Sequence, residues 1–136
     1  MKKIIGIGIL YFSLLSCQFI FQLENDENLN NAILKNLNSD IGISDFTKIT
    51  DFDWDSLIIL RPYSSIDKVE TEFDLNLTNI KQNGIEYSDS YDLIVFLKNK
   101  KSVKIVELKR VIELVEPMDS GIFIIPKSKC VFKKYF

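Results

Sequence analysis

Two apolar runs separated by a short polar turn set the tightest constraint on the fold. Tyr91–Leu97 and Val103–Val111 flank Asn99-Lys100-Lys101. β-Branched and aromatic residues fill both runs and turn formers fill the gap, the pattern of an antiparallel hairpin. A hairpin by itself is marginal in water, so further elements must cover it. A second pair of strands is expected at Gly121–Ile125 and Lys129–Tyr135, joined by Pro126-Lys127-Ser128 and set apart from the first by Glu116-Pro117-Met118-Asp119-Ser120. Upstream, Leu57–Leu60 reads as a strand that Pro62 prevents from continuing.

Two segments carry helical spacing. In Glu24–Asn38, Leu29, Ala32, Ile33 and Leu37 recur every three or four residues, with Asn25, Asp26 and Glu27 at the positive end of the helix dipole. A shorter helix follows Pro62, with Ser64 or Ser65 as its cap, Asp67 in its first turn, and Ile66, Val69 and Phe73 along one face. Asn76–Asp89 is polar, contains Asn83-Gly84, and reads as a loop with room for one edge strand. The sum predicts an α+β class: one or two helices packed on one face of an antiparallel sheet, mostly in meander order.

The chain has 136 residues, which bounds it to one domain. A formal net charge of −2 argues against a nucleic-acid partner. Charge is unevenly spread: Gln18–Leu97 holds fifteen acids against five bases, whereas Lys98–Phe136 holds ten bases against four acids. The simplest account is that the two parts fold against each other and neutralise locally. The alternative is a basic face resting on anionic lipid. No histidine is present, which removes the commonest general base and the commonest neutral metal ligand. Of the two cysteines, Cys130 sits in a strand-like Lys-Cys-Val-Phe context and reads as a small buried apolar residue.

The N-terminus addresses the chain. Lys2 and Lys3 precede the apolar stretch Ile4–Leu15, whose length suits a signal-peptide core. Leu14-Leu15-Ser16-Cys17 then resembles the lipobox of bacterial lipoproteins, with Leu15 bulkier than the small residue that pattern favours. The resemblance implies cleavage before Cys17 and attachment of diacylglycerol to its thiol, with palmitate-type acyl chains holding the protein on a membrane outside the cytoplasm, in the cell envelope. Residues 1–16 are thus expected as a lipoprotein signal peptide, 17–23 as a lipidated N-terminus and tether, and 24–136 as the α+β domain. The rival is an uncleaved anchor: Ile4 to Leu23 reaches about 20 residues, a bilayer span, although Gln18 and Gln22 interrupt it.

Within the domain, Asp51-Phe52-Asp53-Trp54-Asp55 alternates acid with aromatic. In an extended segment it places three carboxylates on one side and two rings on the other, making Asp51, Asp53 and Asp55 weak candidates for a cation site. An EF-hand loop starting at Asp51 is rejected, because its sixth and twelfth places hold Ser56 and Pro62 instead of Gly and Glu. The plainer reading is a polar strand entry whose rings cover the core. Arg61 is expected to hold a carboxylate, with Asp53, Asp55 or Glu107 as candidates. Trp54, Arg61 and Tyr63 form the candidate binding face, on condition that the rings are exposed. Sequence signatures of nucleophilic or phosphate chemistry are absent, so no catalytic residue, metal or cofactor is expected.

Phe52-Asp53-Trp54-Asp55 followed by Leu57–Leu60, Arg61, Pro62 and Tyr63 resembles small uncharacterised bacterial lipoproteins with a Trp-Asp…Pro-Tyr segment, and the hairpin through Asn99-Lys100 matches their second feature. That resemblance implies an envelope location and a small α+β domain, and it brings no ligand. The expected role is a non-enzymatic binding or accessory domain with the membrane and another envelope protein as partners, an inhibitor or immunity-type protein being one form of it. A small-ligand or cation-binding domain built on Asp51, Asp53, Asp55 and Arg61 is the alternative.

Overall fold

Leu93-Ile94-Val95-Phe96-Leu97 has no polar residue on either side of the pleat, so a strand built from it must be covered on both faces. The computed structural model, which describes residues 21–109, 112–114, 122 and 124–134, shows how this is met. Element order is α1 (Glu27–Leu37), β1 (Ile43–Asp45), α2 (Phe46–Ile49), β2 (Ser56–Leu60), α3 (Ile66–Phe73), β3 (Asp92–Lys98), β4 (Lys101–Leu108), β5 (Ile112–Leu114), β6 (Ile124–Pro126) and β7 (Val131–Lys134). Short 3-10 turns at Thr78–Ile80, Gly84–Tyr87 and Lys127–Lys129 complete it. A four-stranded antiparallel sheet runs β4-β3-β2-β6, and a three-stranded one runs β1-β7-β5.

The α+β class with helices on an antiparallel sheet is the class observed. The helices divide between the two faces of the sheet instead of sharing one. Ile94 and Phe96 of β3 pack with Leu57, Val106, Leu29, Ile33 and Leu37 of α1, and Phe46 and Phe132. Leu93, Val95 and Leu97 point the other way, into a cluster with Ile58, Leu60, Ile105, Ile66 and Val69 of α3, and Ile80 and Ile85 of the 3-10 turns. Strand β3 is therefore the middle layer of three.

Local rules explain the elements. Asp26 caps α1, its Oδ1 accepting from Leu29 N at 2.9 Å, and Ser65 Oγ does the same for Lys68 N at the start of α3. Helix α3 stops at Asp74, which takes the left-handed conformation (φ 52°) while Leu75 N donates to Glu70 O. The β3–β4 turn has two residues, Asn99 (φ 49°) and Lys100 (φ 65°), the twist-matched geometry of a tight hairpin, one residue shorter than the sequence suggests. Register slips between Phe96 and Leu97, leaving Val103 as a bulge.

Two corrections concern connectivity. The expected second hairpin does not form: β6 pairs with β2 in the larger sheet while β7 joins β1 and β5 in the smaller. The 3-10 turn after Pro126 redirects the chain between sheets. In the loop Asn76–Asp89, two 3-10 turns and a single bridge, Asn76 to Lys101, stand where an edge strand had room. The expected signal peptide, Cys17 and the 116–120 separator lie outside the described residues. Charge neutralises between the two parts of the chain as the simpler account expects: Lys98 bridges to Asp53, Lys100 to Asp74 and Lys104 to Asp26.

Candidate functional site

The Asp51–Asp55 segment sends its rings inward and its acids outward. Trp54 is 2% exposed and meets Phe96 edge-on at 4.9 Å, and its indole N–H donates to Thr50 Oγ1 at 2.8 Å. Phe52 meets the same Phe96 ring at 5.2 Å and 89°. The acids work separately. Asp55 clamps the hairpin turn, its Oδ2 accepting from Asn99 N at 2.9 Å and its Oδ1 from Ser56 Oγ at 2.8 Å. The backbone N–H of Asn99 holds the Asp55 carboxyl below its ordinary value against the smaller opposing effect of burial. Asp53 faces Lys98 Nζ at 3.3 Å. Among the described residues no group of three or more His, Cys, Asp or Glu side chains converges as a metal site would need.

Trp54 and Tyr63 do not form one face. Trp54 precedes β2 and Tyr63 follows it, so they sit at opposite ends of a five-residue strand, about 17 Å long. A ring that is 2% exposed offers nothing to a partner, and Trp54 is removed from the candidate face. Arg61 and Tyr63 remain. Arg61 Nη1 donates to Asp92 Oδ2 at 2.6 Å; Asp92 is buried at the start of the neighbouring strand, and none of the three acids expected for Arg61 is its partner here. Tyr63 is 64% exposed in the left-handed region (φ 65°), with its N–H donating to Ile85 O at 2.9 Å. That bond joins its turn to the 3-10 turn carrying Tyr87, which is 85% exposed. Glu86 secures the junction by accepting Ile66 N at 2.8 Å. The exposed surface is thus Arg61, Tyr63 and Tyr87. Tyr87 was missed, although an aromatic residue inside the polar stretch Asn83–Asp89 was a usable signal.

A second feature has no counterpart in the sequence reading. Residues 22–26, partly assigned to a tether, form a strap along the free edge of β4. Leu23 N donates to Asn79 O at 2.8 Å, Asp26 N to Ile105 O at 3.1 Å, and Glu107 N to Asn25 Oδ1 at 2.8 Å. Gln22 donates through Nε2 to Thr78 O and accepts from Gln82 N, each at 3.1 Å. Gln22 and Leu23, within the stretch read as tether, are thus held against residues 78–82. Beside the strap opens a cleft of about 460 Å³ lined by Gln22, Asn25, Gln82, Asn83 and Glu107 among others. Asn83 is its hub: Oδ1 accepts from Tyr91 Oη (3.0 Å) and Ile85 N (2.9 Å), and Nδ2 donates to Glu107 Oε1 (3.0 Å). Burial, helped by the Glu107 carboxylate, raises the Tyr91 hydroxyl.

Cys130 is fully buried, with its Sγ 3.3 Å from Pro126 O, and burial pushes its thiol up to about 12, so it is inert as a nucleophile. Among the described residues no helix is long and apolar enough to cross a membrane. Compared with family models, with curated proteins and with solved structures, the chain matches none, and the candidate surfaces stand on their own geometry.

Proposed function

We propose that the protein is an envelope lipoprotein, lipidated on Cys17 outside the cytoplasm, whose domain is a non-enzymatic binding or accessory unit for another envelope protein. The observation that carries the reading is the N-terminal order: Lys2-Lys3, the apolar stretch Ile4–Leu15, then Leu14-Leu15-Ser16-Cys17, five residues before Gln22, which is hydrogen-bonded to Thr78 and Gln82. The fold supports it twice. Cys130, the other cysteine of the chain, is buried and weakly acidic, which makes it a poor target for modification. Gln22 and Leu23 are committed to Thr78, Gln82 and Asn79, which shortens the apolar run left for an uncleaved span to Ile4–Phe21, with Gln18 inside it.

Partner contact is assigned to Arg61, Tyr63 and Tyr87, because tyrosine side chains held on short anchored turns supply contact area at small entropic cost. Mass spectrometry of protein purified from membranes tests the anchor. The expected N-terminal peptide starts at Cys17 and carries diacylglycerol; a chain still starting at Met1, or an unmodified Cys17, overturns it. Photo-crosslinkers placed at positions 63 and 87 in intact cells test the face. They are expected to capture an envelope protein that a crosslinker at exposed Asp40 does not, and equal capture at all three positions removes the assignment.

A further inference from the structure

We infer that the pole formed by the strap and the 78–82 turn lies directly on the lipid surface, so that the domain is mounted on the bilayer in one orientation instead of swinging on a tether. The inference rests on the reading of Cys17 as lipidated. Reach is the first argument. Cys17 and Gln22 are five residues apart, at most about 18 Å of extended chain. Gln22 is fixed to Thr78 and Gln82, and Leu23 to Asn79, with Leu23 also packed against the apolar cluster beneath. A domain of this size is about 30 Å across, so a link this short cannot let it turn that pole away.

Phe21 supplies the second argument. It stands next to the docked Gln22 yet is 77% exposed, and it ends the apolar sequence Phe19-Ile20-Phe21. Moving a large apolar side chain out of water is worth about 1.5–3 kcal/mol, and aromatic rings favour the membrane–water interface. A lipid surface is the occupant that such a residue, beside an acyl anchor, fits. Lys81 in the same turn already holds Asp67 and, at 2.9 Å, Glu70. Apolar insertion, more than attraction of a basic patch, therefore holds this pole down, and the contact is expected to persist in salt.

Full-length acylated protein in phosphatidylcholine–phosphatidylglycerol vesicles containing nitroxide-labelled lipid tests this. A fluorophore is attached through Gln82→Cys or, separately, Asp40→Cys; both sites are exposed, and buried Cys130 is left unlabelled. Asp40 lies past the far end of the 11-residue α1, about 16 Å along its axis from the strap. Quenching at position 82 is expected to exceed that at position 40 several-fold, with little change in 0.5 M salt. Twelve Gly/Ser residues inserted between Phe21 and Gln22 are expected to bring the two positions level while flotation with the vesicles is retained. Flotation with equal quenching in the unaltered chain overturns the mount and leaves the anchor standing. Loss of flotation with an unacylated Cys17 overturns both.

Discussion

The two faces of the larger sheet are built by different means. One is aromatic: Phe46, Phe52, Trp54 and Phe132 gather around Phe96, with Phe46 and Phe132 at 4.4 Å and 31°. The other is aliphatic, made of Ile, Leu and Val from residues 58–105. The aromatic face draws on residues from Leu29 to Phe132, so both ends of the chain must arrive before it closes. The buried residues of the aliphatic face lie within one continuous stretch, with Leu23, Ile122 and Ile124 packed at its margin. Closing long loops costs entropy before contacts repay it, so the aromatic side is expected to form later and open first.

The sharpest test compares neighbours on one strand. Phe96→Ala is expected to lower stability by about 4 kcal/mol and Leu97→Ala by about 3, read from denaturant midpoints. A larger loss at Leu97 would mean that the aromatic side is not the better packed of the two. Phe132→Ala, expected at about 3 kcal/mol, distinguishes assembly from packing. Native-state hydrogen exchange in that variant should show loss of protection in β1 and β7 with β2, β3 and β4 still protected, and uniform loss across both sheets would erase the distinction. At the end of the same face, where Asp92 shares the side of β3 that carries Ile94 and Phe96, Arg61→Ala removes the guanidinium 2.6 Å from the buried Asp92 Oδ2. It is expected to lower stability by about 1 kcal/mol, read from denaturant midpoints, a small value because the arginine is half exposed.

The smallest effect is on acid stability. The N-cap bond from Leu29 N, with help from Lys104, holds Asp26 below its ordinary value, and Asn99 N does the same for Asp55. A carboxyl with a lowered folded pKa contributes stability that is present above its unfolded value near 3.8 and is lost as pH falls through the folded one. Both acids serve the aromatic side: Asp26 caps α1 and holds Lys104, which lies 5.0 Å over Phe52, and Asp55 neighbours Trp54. Asp26→Asn and Asp55→Asn should therefore flatten the fall of melting temperature below about pH 4. An unchanged slope would show that neither clamp matters there.

Much of this was legible in the sequence, for stated reasons. The two longer helices announce themselves through Asp26 and Ser65 as caps and through Ile33, Leu37 and Val69 as apolar positions. The hairpin is written in Tyr91–Leu97. That same run also encodes the second covered face, since an unbroken Leu-Ile-Val-Phe-Leu has no side fit for water; the expectation of one-sided helices passed over it. Strand β1 and helix α2 are three and four residues long, below what periodicity can reveal. The strap was hidden because Gln22 to Asn25 have no hydrophobic rhythm; side-chain amides and backbone bonds hold it. Trp54 admitted two readings, since an acid–aromatic alternation fits both a core cover and an exposed anchor; the plainer reading, a ring covering the core, is the one the fold shows.

The strap along β4 also bears on how the domain behaves when its N-terminal stretch is removed. Asn25 bridges Ile105, and Asn76 bridges Lys101, so two pieces of chain shield the backbone of an outermost strand. A secreted or recombinant version trimmed to begin at the first helix would bare the donors and acceptors of Val103–Glu107, and such a ledge recruits a second molecule edge to edge. Cleavage near residue 26 would then leave a domain prone to self-association through that edge.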